Sequence, residues 1–367
     1  MSETLQPARA VSPGEIIEME LEARDWTQRD LAEIMGRPPQ AVSEIIRGVK
    51  QITPETALEL AQAFGTSPEV WANLETYYRL QLARRRSGDG GAGIATRSKL
   101  YSLLPVADLV RRGWLRAADA AEDLEREVRD LLGGDPQALI PAVSFRHSEA
   151  RGPEHGAQVA WVARVRQLAE RQDVPPFDYG RLADAIPHLR RLAALPEQVA
   201  AVPPLLTSLG VRFVIVPPLP KTYIDGVLCD AERAPIIGLT LRYDRIDSFW
   251  FTLMHELAHL MLGHHALHLD NFDDKEQRRD AQEIAANTKA RAWLLDQGAL
   301  AAWVSRTHPY FSRQKIEHFA AAQQLHPGVL LGQLMFDETV GYKHLRALLV
   351  KVSPHLQDWS DAVYSGR

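Results

Sequence analysis

The chain has 367 residues, 46% hydrophobic and 24% charged, with a formal net charge of -5. That is a globular composition with room for two or three domains and a sizeable core, and the absence of excess positive charge excludes a general polyanion binder. No apolar run reaches the roughly 18 residues of a membrane span, no basic and apolar leader opens the chain, and the single cysteine, Cys229, excludes an internal disulfide framework. The expectation is a cytoplasmic protein with no membrane contact and with Cys229 buried beside a strand.

Residues 1–86 read as a domain of five short helices. The first is Gly14 to Ala23, and Thr27 starts the second, which runs through Met35 with Asp30 placed to complete a capping box. Residues 36–39 are turn chemistry. Pro39 to Arg47 forms the third helix, closed by Gly48. Thr53-Pro54 opens a fourth that ends at Phe64, and Ser67-Pro68 opens a fifth carrying Trp71, Leu74, Tyr77, Tyr78 and Leu82. The second and third helices, joined by a tight glycine-containing turn, match a helix-turn-helix whose second member enters the major groove.

The stretch resembles the HigA-like branch of the Xre helix-turn-helix family, in Pro13-Gly14-Glu15, in Thr27-Gln28-Arg29-Asp30-Leu31-Ala32 and in residues 42–48, 52–53, 57–61, 64–68 and 71–74. The resemblance implies operator binding as a homodimer. Gln28 at a helix start, then Gln40, Ser43, Glu44 and Arg47 are the residues positioned for it, since glutamine can read adenine and arginine can read guanine or hold phosphate. Residues 1–86 hold ten Arg plus Lys against thirteen Asp plus Glu, so a helical protein-docking module is the competing reading. Arg24, Arg37, Arg47 and Lys50 could still form a basic face.

Residues 87–98 are glycine-rich and read as a flexible linker. Residues 99–198 read as a helical connecting region, with Gln158 to Arg171 an amphipathic helix and with His147 and His155 as exposed bystanders. Nothing in that region carries a sharp functional signal.

At Val211 the pattern changes. Val211 to Val216 is predicted as a strand, Thr222 to Cys229 as a second interrupted at Asp225-Gly226 by a turn or bulge, and Ile236 to Arg242 as a third. A helix follows, with Asp247 or Ser248 as its cap. It carries His255-Glu256-Leu257-Ala258-His259, the H-E-x-x-H spacing in which two histidines four apart grip one zinc ion while the glutamate serves as general base. At about 100° per residue, Thr252, His255, Glu256, His259 and Gly263 share one wedge and apolar residues fill the rest, so the helix reads as buried. Burying two imidazoles and a carboxylate is costly without hydrogen bonds or a metal. Two histidines leave zinc short of the usual three protein ligands. Glu283 is the favoured third, because Glu283, Asn287, Ala290 and Leu294 share one otherwise small, apolar face. Glu276, Asp280, His264, His265 and His268 compete with it.

Residues 211–295 resemble the ImmA/IrrE family of metallopeptidases, through residues 235–242, residues 247–259 and Glu283-Ile284-Ala285-Ala286-Asn287. The resemblance implies a gluzincin-like arrangement with His255, His259 and Glu283 as ligands of Zn2+ and Glu256 as base, often attached to an Xre-type domain. The chain departs from the family pattern at residues 288–290 and at Asp296. Tyr223, Arg242, Tyr243 and His318 are possible donors to a tetrahedral oxyanion.

The expected fold is α+β and mostly helical: a five-helix helix-turn-helix domain, the helical middle region, and a gluzincin-like zinc peptidase domain over residues 199–297 with a small three-stranded sheet. A helical extension, residues 298–367, follows. The expected function is a DNA-binding transcriptional regulator with a zinc endopeptidase that performs limited cleavage of a protein partner, such as a repressor, antitoxin or toxin. The alternative is a non-catalytic HigA-like antitoxin or repressor whose zinc-site domain binds a toxin or senses a ligand.

Overall fold

The N-terminal helices follow from their caps. The computed structural model describes residues 11–87, 90–142, 153–229, 234–264, 268–270 and 280–361, and the chain divides into two units, Met1–Ala95 and Thr96–Arg367. In the first unit α1 is Pro13–Ala23, α2 Gln28–Ile34, α3 Pro39–Ile46, α4 Pro54–Phe64 and α5 Pro68–Ser87. Ser12 with Glu15, and Thr27 with Asp30, form reciprocal capping boxes. Gly48 and Gly65, at φ 70° and 69°, take the left-handed conformation that ends α3 and α4. Ile17, Leu31, Val42, Leu60, Phe64 and Trp71 fill the core of this unit. A Cβ on Gly14 would lie 1.8 Å from the Ile46 carbonyl oxygen. Helix α1 therefore meets the end of α3 backbone to backbone, which is the reason for glycine in Pro13-Gly14-Glu15.

The expected flexible linker is a point of difference, since α6 spans Gly90–Leu103. Three glycines, at 90, 91 and 93, oppose a helix here. Tertiary contacts farther along α6 override them: Leu100 is buried, and Arg97 donates to the Ala118 carbonyl at 2.6 Å.

The second unit is built on a sheet of β1 (Arg212–Ile215), β2 (Gly226–Cys229), β3 (Ile236–Leu239) and β4 (His268–Asp270), in the order β1-β3-β2-β4. β1 and β3 are parallel, and the β2–β3 and β2–β4 pairs are antiparallel. The fourth strand was not expected. The predicted second and third strands are also shorter than read, because positive φ at Lys221, Tyr223 and Leu241 interrupts extended backbone. Around the sheet lie α7 (Val106–Arg111), α8 (Ala121–Leu132), α9 (Pro136–Ala142), α10 (Pro153–Ala169), α11 (Tyr179–Leu192), α12 (Val202–Ser208), α13 (Ile246–Met261), α14 (Ala281–Leu294), α15 (Gln297–Thr307), α16 (Arg313–Ala322) and α17 (Pro327–Phe336). No helix among the described residues is long and apolar enough to cross a membrane.

Successive strand residues face opposite ways, so the sheet has two buried faces. Phe213, Ile215, Leu228, Ile237 and Leu239 pack in one core with Phe249, Leu253 and Leu257 of α13. Val214, Val216, Val227, Cys229 and Ile236 pack in another with Trp161, Val162 and Val165 of α10. Helix α10, read as amphipathic and connecting, is buried over most of its circumference, and Trp161 Nε1 donates to the Val216 carbonyl at 2.9 Å. Leu182, Leu189, Val202 and Leu206 join the α13 core. The helices before residue 198 thus share in both cores of the sheet rather than forming a connector. His147 lies outside the described residues.

The C-terminal helices close over α13, and α17 packs directly on it. His326 caps α17, its Nδ1 accepting from the Gly328 N–H at 3.0 Å. Burial holds the His326 pKa below the ordinary histidine value, with a smaller opposing pull from Glu197. A histidine with a lowered folded pKa contributes stability that is full above the unfolded value of about 6.5 and is lost as pH falls through the folded value. His326→Asn keeps a capping oxygen and removes the titration, so between pH 8 and pH 5 its urea midpoint should fall less than that of the wild type. Parallel midpoints would count against this role.

Candidate metal centre and helix-turn-helix surface

Helix α13 is apolar on nearly all sides, and its polar wedge is as buried as the rest: His255, Glu256 and His259 are each 0% exposed and Thr252 4%. Neither predicted cap is used. The helix begins one residue after Arg245 with no side-chain cap, and Asp247, in its first turn, forms an ion pair with Arg245 at 2.9 Å. Burial raises the Asp247 pKa against the pull of that guanidinium.

Helix α14 lies along α13 and brings Glu283 to the two histidines. His255 Nε2 and His259 Nε2 are 2.8 Å apart, and Glu283 oxygens lie 3.2 Å from the first and 3.5 Å from the second. Zinc bonds of 2.0–2.1 Å at tetrahedral angles would separate ligand atoms by roughly 3.3 Å. Two imidazole nitrogens and a carboxylate on that scale, all buried, fit the donor set and size of a zinc site. Among the described residues this is the group of His, Cys, Asp or Glu close enough to hold one ion. Glu283 also stands in the first turn of α14, where the helix dipole favours its charge.

The competitors have other positions. Asp280 is the N-cap of α14 and accepts from the Gln282 and Glu283 N–H groups. His264 places Nδ1 2.7 Å from His259 Nδ1, on the imidazole nitrogen opposite the cluster. His268 begins β4, while Glu276 and His265 lie outside the described residues. Asp296, a departure from the family pattern, caps α15 through the Ala299 N–H at 2.9 Å.

Gly226 is a residue whose part the sequence reading missed. It is the first residue of β2, paired with both β3 and β4, and marks no bulge. A Cβ there would lie 2.2 Å from Glu256 Oε1 and 2.8 Å from Thr252 Cγ2. Glycine at this strand position leaves the space that the Glu256 carboxylate fills. Of the oxyanion candidates, Arg242 is held bidentately by Asp225, at 3.1 and 3.0 Å, with its guanidinium over Tyr243. Tyr223 and His318 are exposed.

In the first unit the recognition-helix residues make a local network. Gln40 Nε2 donates to Glu44 at 3.0 Å, Lys50 pairs with the other Glu44 oxygen at 2.7 Å, and Arg47 Nε donates to the Ser43 carbonyl. Hydrogen bonds from Lys50 and then Gln40 lower the Glu44 pKa. Gln40 and Arg47 are exposed, while Gln28, Ser43 and Glu44 are half-buried.

Comparison with known proteins separates the same two regions. The helix-turn-helix family model matches residues 17–71, and the model described as an IrrE N-terminal-like domain, a peptidase family, matches residues 208–319. The antitoxin HigA-1 of Vibrio cholerae is 39% identical over 79 residues, which is 21% of this chain and 74% of that protein. The chain belongs to the helix-turn-helix family and carries an IrrE N-terminal-like domain. Another helix-turn-helix relative, the uncharacterized HTH-type transcriptional regulator YddM of Escherichia coli, is 33% identical over 73 residues, 20% of this chain and 78% of that one. Among solved structures, a HigA-family addiction module antidote protein from Coxiella burnetii is 40% identical, covering 22% of this chain and 90% of that one at a TM-score of 0.22. The Pseudomonas aeruginosa antitoxin HigA, solved with the higBA promoter, is 31% identical, with the same coverages and TM-score.

Proposed function

We propose that the chain is a DNA-binding transcriptional regulator whose IrrE-like domain is a zinc endopeptidase making limited cuts in a regulatory protein, such as a repressor, antitoxin or toxin. The observation that carries this reading is the buried convergence of His255, His259 and Glu283 with Glu256 in the same wedge of α13. These three residues would hold the metal, which supplies Lewis-acid polarisation of a scissile carbonyl when bound. Glu256, set between α13 and the glycine of β2, takes a proton from the attacking water and returns it to the leaving amine. A histidine that binds through Nε2 keeps its proton on Nδ1. In His259 that nitrogen lies 2.7 Å from His264 Nδ1, which would accept the proton with a metal on Nε2. His264→Ala should therefore weaken zinc affinity by about 10- to 100-fold, read by chelator competition. An unchanged affinity would remove His264 from the site.

The helix-turn-helix unit brings the peptidase to an operator as a homodimer, with Gln28, Gln40, Ser43, Glu44 and Arg47 toward DNA. Its similarity to a named antitoxin and a named transcriptional regulator supports that reading. A gel shift on the upstream region of its own gene should show retention that Gln40→Ala and Ser43→Ala abolish. Retention equal to that of random DNA would overturn it.

The deciding experiment for the peptidase compares zinc content and cleavage of co-expressed candidate partners in wild type and Glu256→Gln. Both should hold zinc and only the wild type should cut. Zinc binding by both, with cleavage by neither, would favour the non-catalytic antitoxin or sensor.

A further inference from the structure

Beside the metal cluster, between α13, α14 and α17, lies a pocket of about 320 Å³. Its walls include Phe251, Leu294, Met335 and Phe336, and its mouth carries Tyr342, which is 57% exposed. The pocket reaches the wedge at Thr252 and stops short of Glu256 and the three metal-site residues. Phe251 lies one turn before His255, their ring centroids 6.1 Å apart, and the Phe336 ring lies 5.9 Å from it. Thr252, also on the wall, is one turn before Glu256. A helical turn rises about 5.4 Å, and consecutive residues of a peptide are about 3.8 Å apart. A peptide bond held at Glu256 thus puts a flanking side chain within reach of the pocket wall at Thr252.

Charge decides what that side chain can be. Asp225 is paired with Arg242, Asp247 with Arg245, and Arg291 with Asp337. Each charged wall residue already has its opposite charge within the chain, so an ionised occupant would lose water and displace an existing pair. An apolar one gains burial. Size agrees, because a dry apolar cavity of about 150 Å³ already takes benzene.

We propose that this pocket is the specificity site of the peptidase and takes one large uncharged side chain, above all an aromatic one, from the residue flanking the scissile bond. The inference rests on the peptidase reading above, and its test separates the two. Two dipeptide hydroxamates that differ only in bearing a benzyl group or a hydrogen are titrated against the zinc-loaded full chain. The benzyl compound should bind at least about tenfold tighter. Ser248 lines the same pocket and is half-buried at the start of α13. In Ser248→Phe the added ring should bring the two compounds within about twofold while the glycine compound binds as before. Tyr342→Ala, at the exposed rim, should weaken only the benzyl compound. Zinc content and circular dichroism check that each variant is folded.

Equal binding of both compounds by the wild type overturns the pocket and leaves the peptidase standing. Binding of neither overturns the metal site, and the pocket with it. A benzyl preference that survives Ser248→Phe places the selectivity elsewhere. A preference undiminished in zinc-stripped protein marks a small-molecule sensor and also overturns the proposal.

Discussion

Gly226→Ala should abolish most cleavage while leaving zinc in place. The added methyl would fall 2.2 Å from Glu256 Oε1 and 2.8 Å from Thr252 Cγ2. Gly226 is pinned between β3 and β4 by its strand pairing, so the backbone has little freedom to retreat. The Glu256 side chain is the flexible partner and gives way, which moves the base, while the stiff Thr252 side chain must also shift by a few tenths of an ångström, which adds a cost in stability. General-base catalysis contributes roughly 10²- to 10⁴-fold, and a loss in that range is expected in kcat. The nearest atoms to the new methyl belong to Glu256 and Thr252 and to none of the three ligand residues, so metal content should match that of the wild type. Activity within about threefold of wild type would show that the base does not need this space. Parallel loss of zinc would show that β2 supports the ligands as well.

The second large effect concerns the end of the described chain. Asp361 accepts from Arg164 Nε and Nη2 at 2.9 and 2.8 Å and from Trp114 Nε1 at 2.9 Å. The ion-pair side chains are only 11% and 5% exposed. The same residue ties the chain to the sheet, its N–H donating to the Ile215 carbonyl at 2.8 Å beside a parallel bridge between Ile215 and Ser360. Asp361→Ala leaves a buried guanidinium and an indole N–H without their acceptor. Breaking one side of a buried pair costs about 3–5 kcal/mol, which for a unit of this size lowers Tm by on the order of 10 °C. Asp361→Asn keeps an acceptor for Trp114 and should fall between the alanine variant and wild type. A Tm change under about 2 °C for the alanine variant would mean that the pair only balances its own desolvation.

These two variants mark what could and could not be read in advance. The helix-turn-helix was legible because its signals are local: Thr27 and Asp30 cap each other three residues apart, Gly48 and Gly65 end helices in left-handed conformation, and the buried residues Ile17 and Leu21 on α1, and Ala57, Leu60, Ala61 and Phe64 on α4, recur at helical spacing. The glycine-rich run misled for the opposite reason. Its local preference for coil lost to contacts made by Leu100 and Arg97 with residues farther along the chain. Helix α10 misled similarly, since an alternation of apolar and polar positions cannot reveal that Arg164 is buried by an aspartate 197 residues away.

The same division runs through the candidate metal centre. The sequence by itself determined the pieces governed by neighbours along the chain: the two imidazoles four residues apart, the apolar helix that carries them, the caps and turns of the first unit, and the apolar strands. Only the tertiary structure decided which distant residues meet those pieces. It put Glu283 3.2 Å from His255, made Asp280 a cap, turned His264 toward the far side of His259, and packed Gly226 against the Glu256 carboxylate. The physical reason is that helix periodicity and capping act within a turn or two of chain. The choice among carboxylates, and the need for a missing side chain opposite one of them, depend on how helices and strands pack.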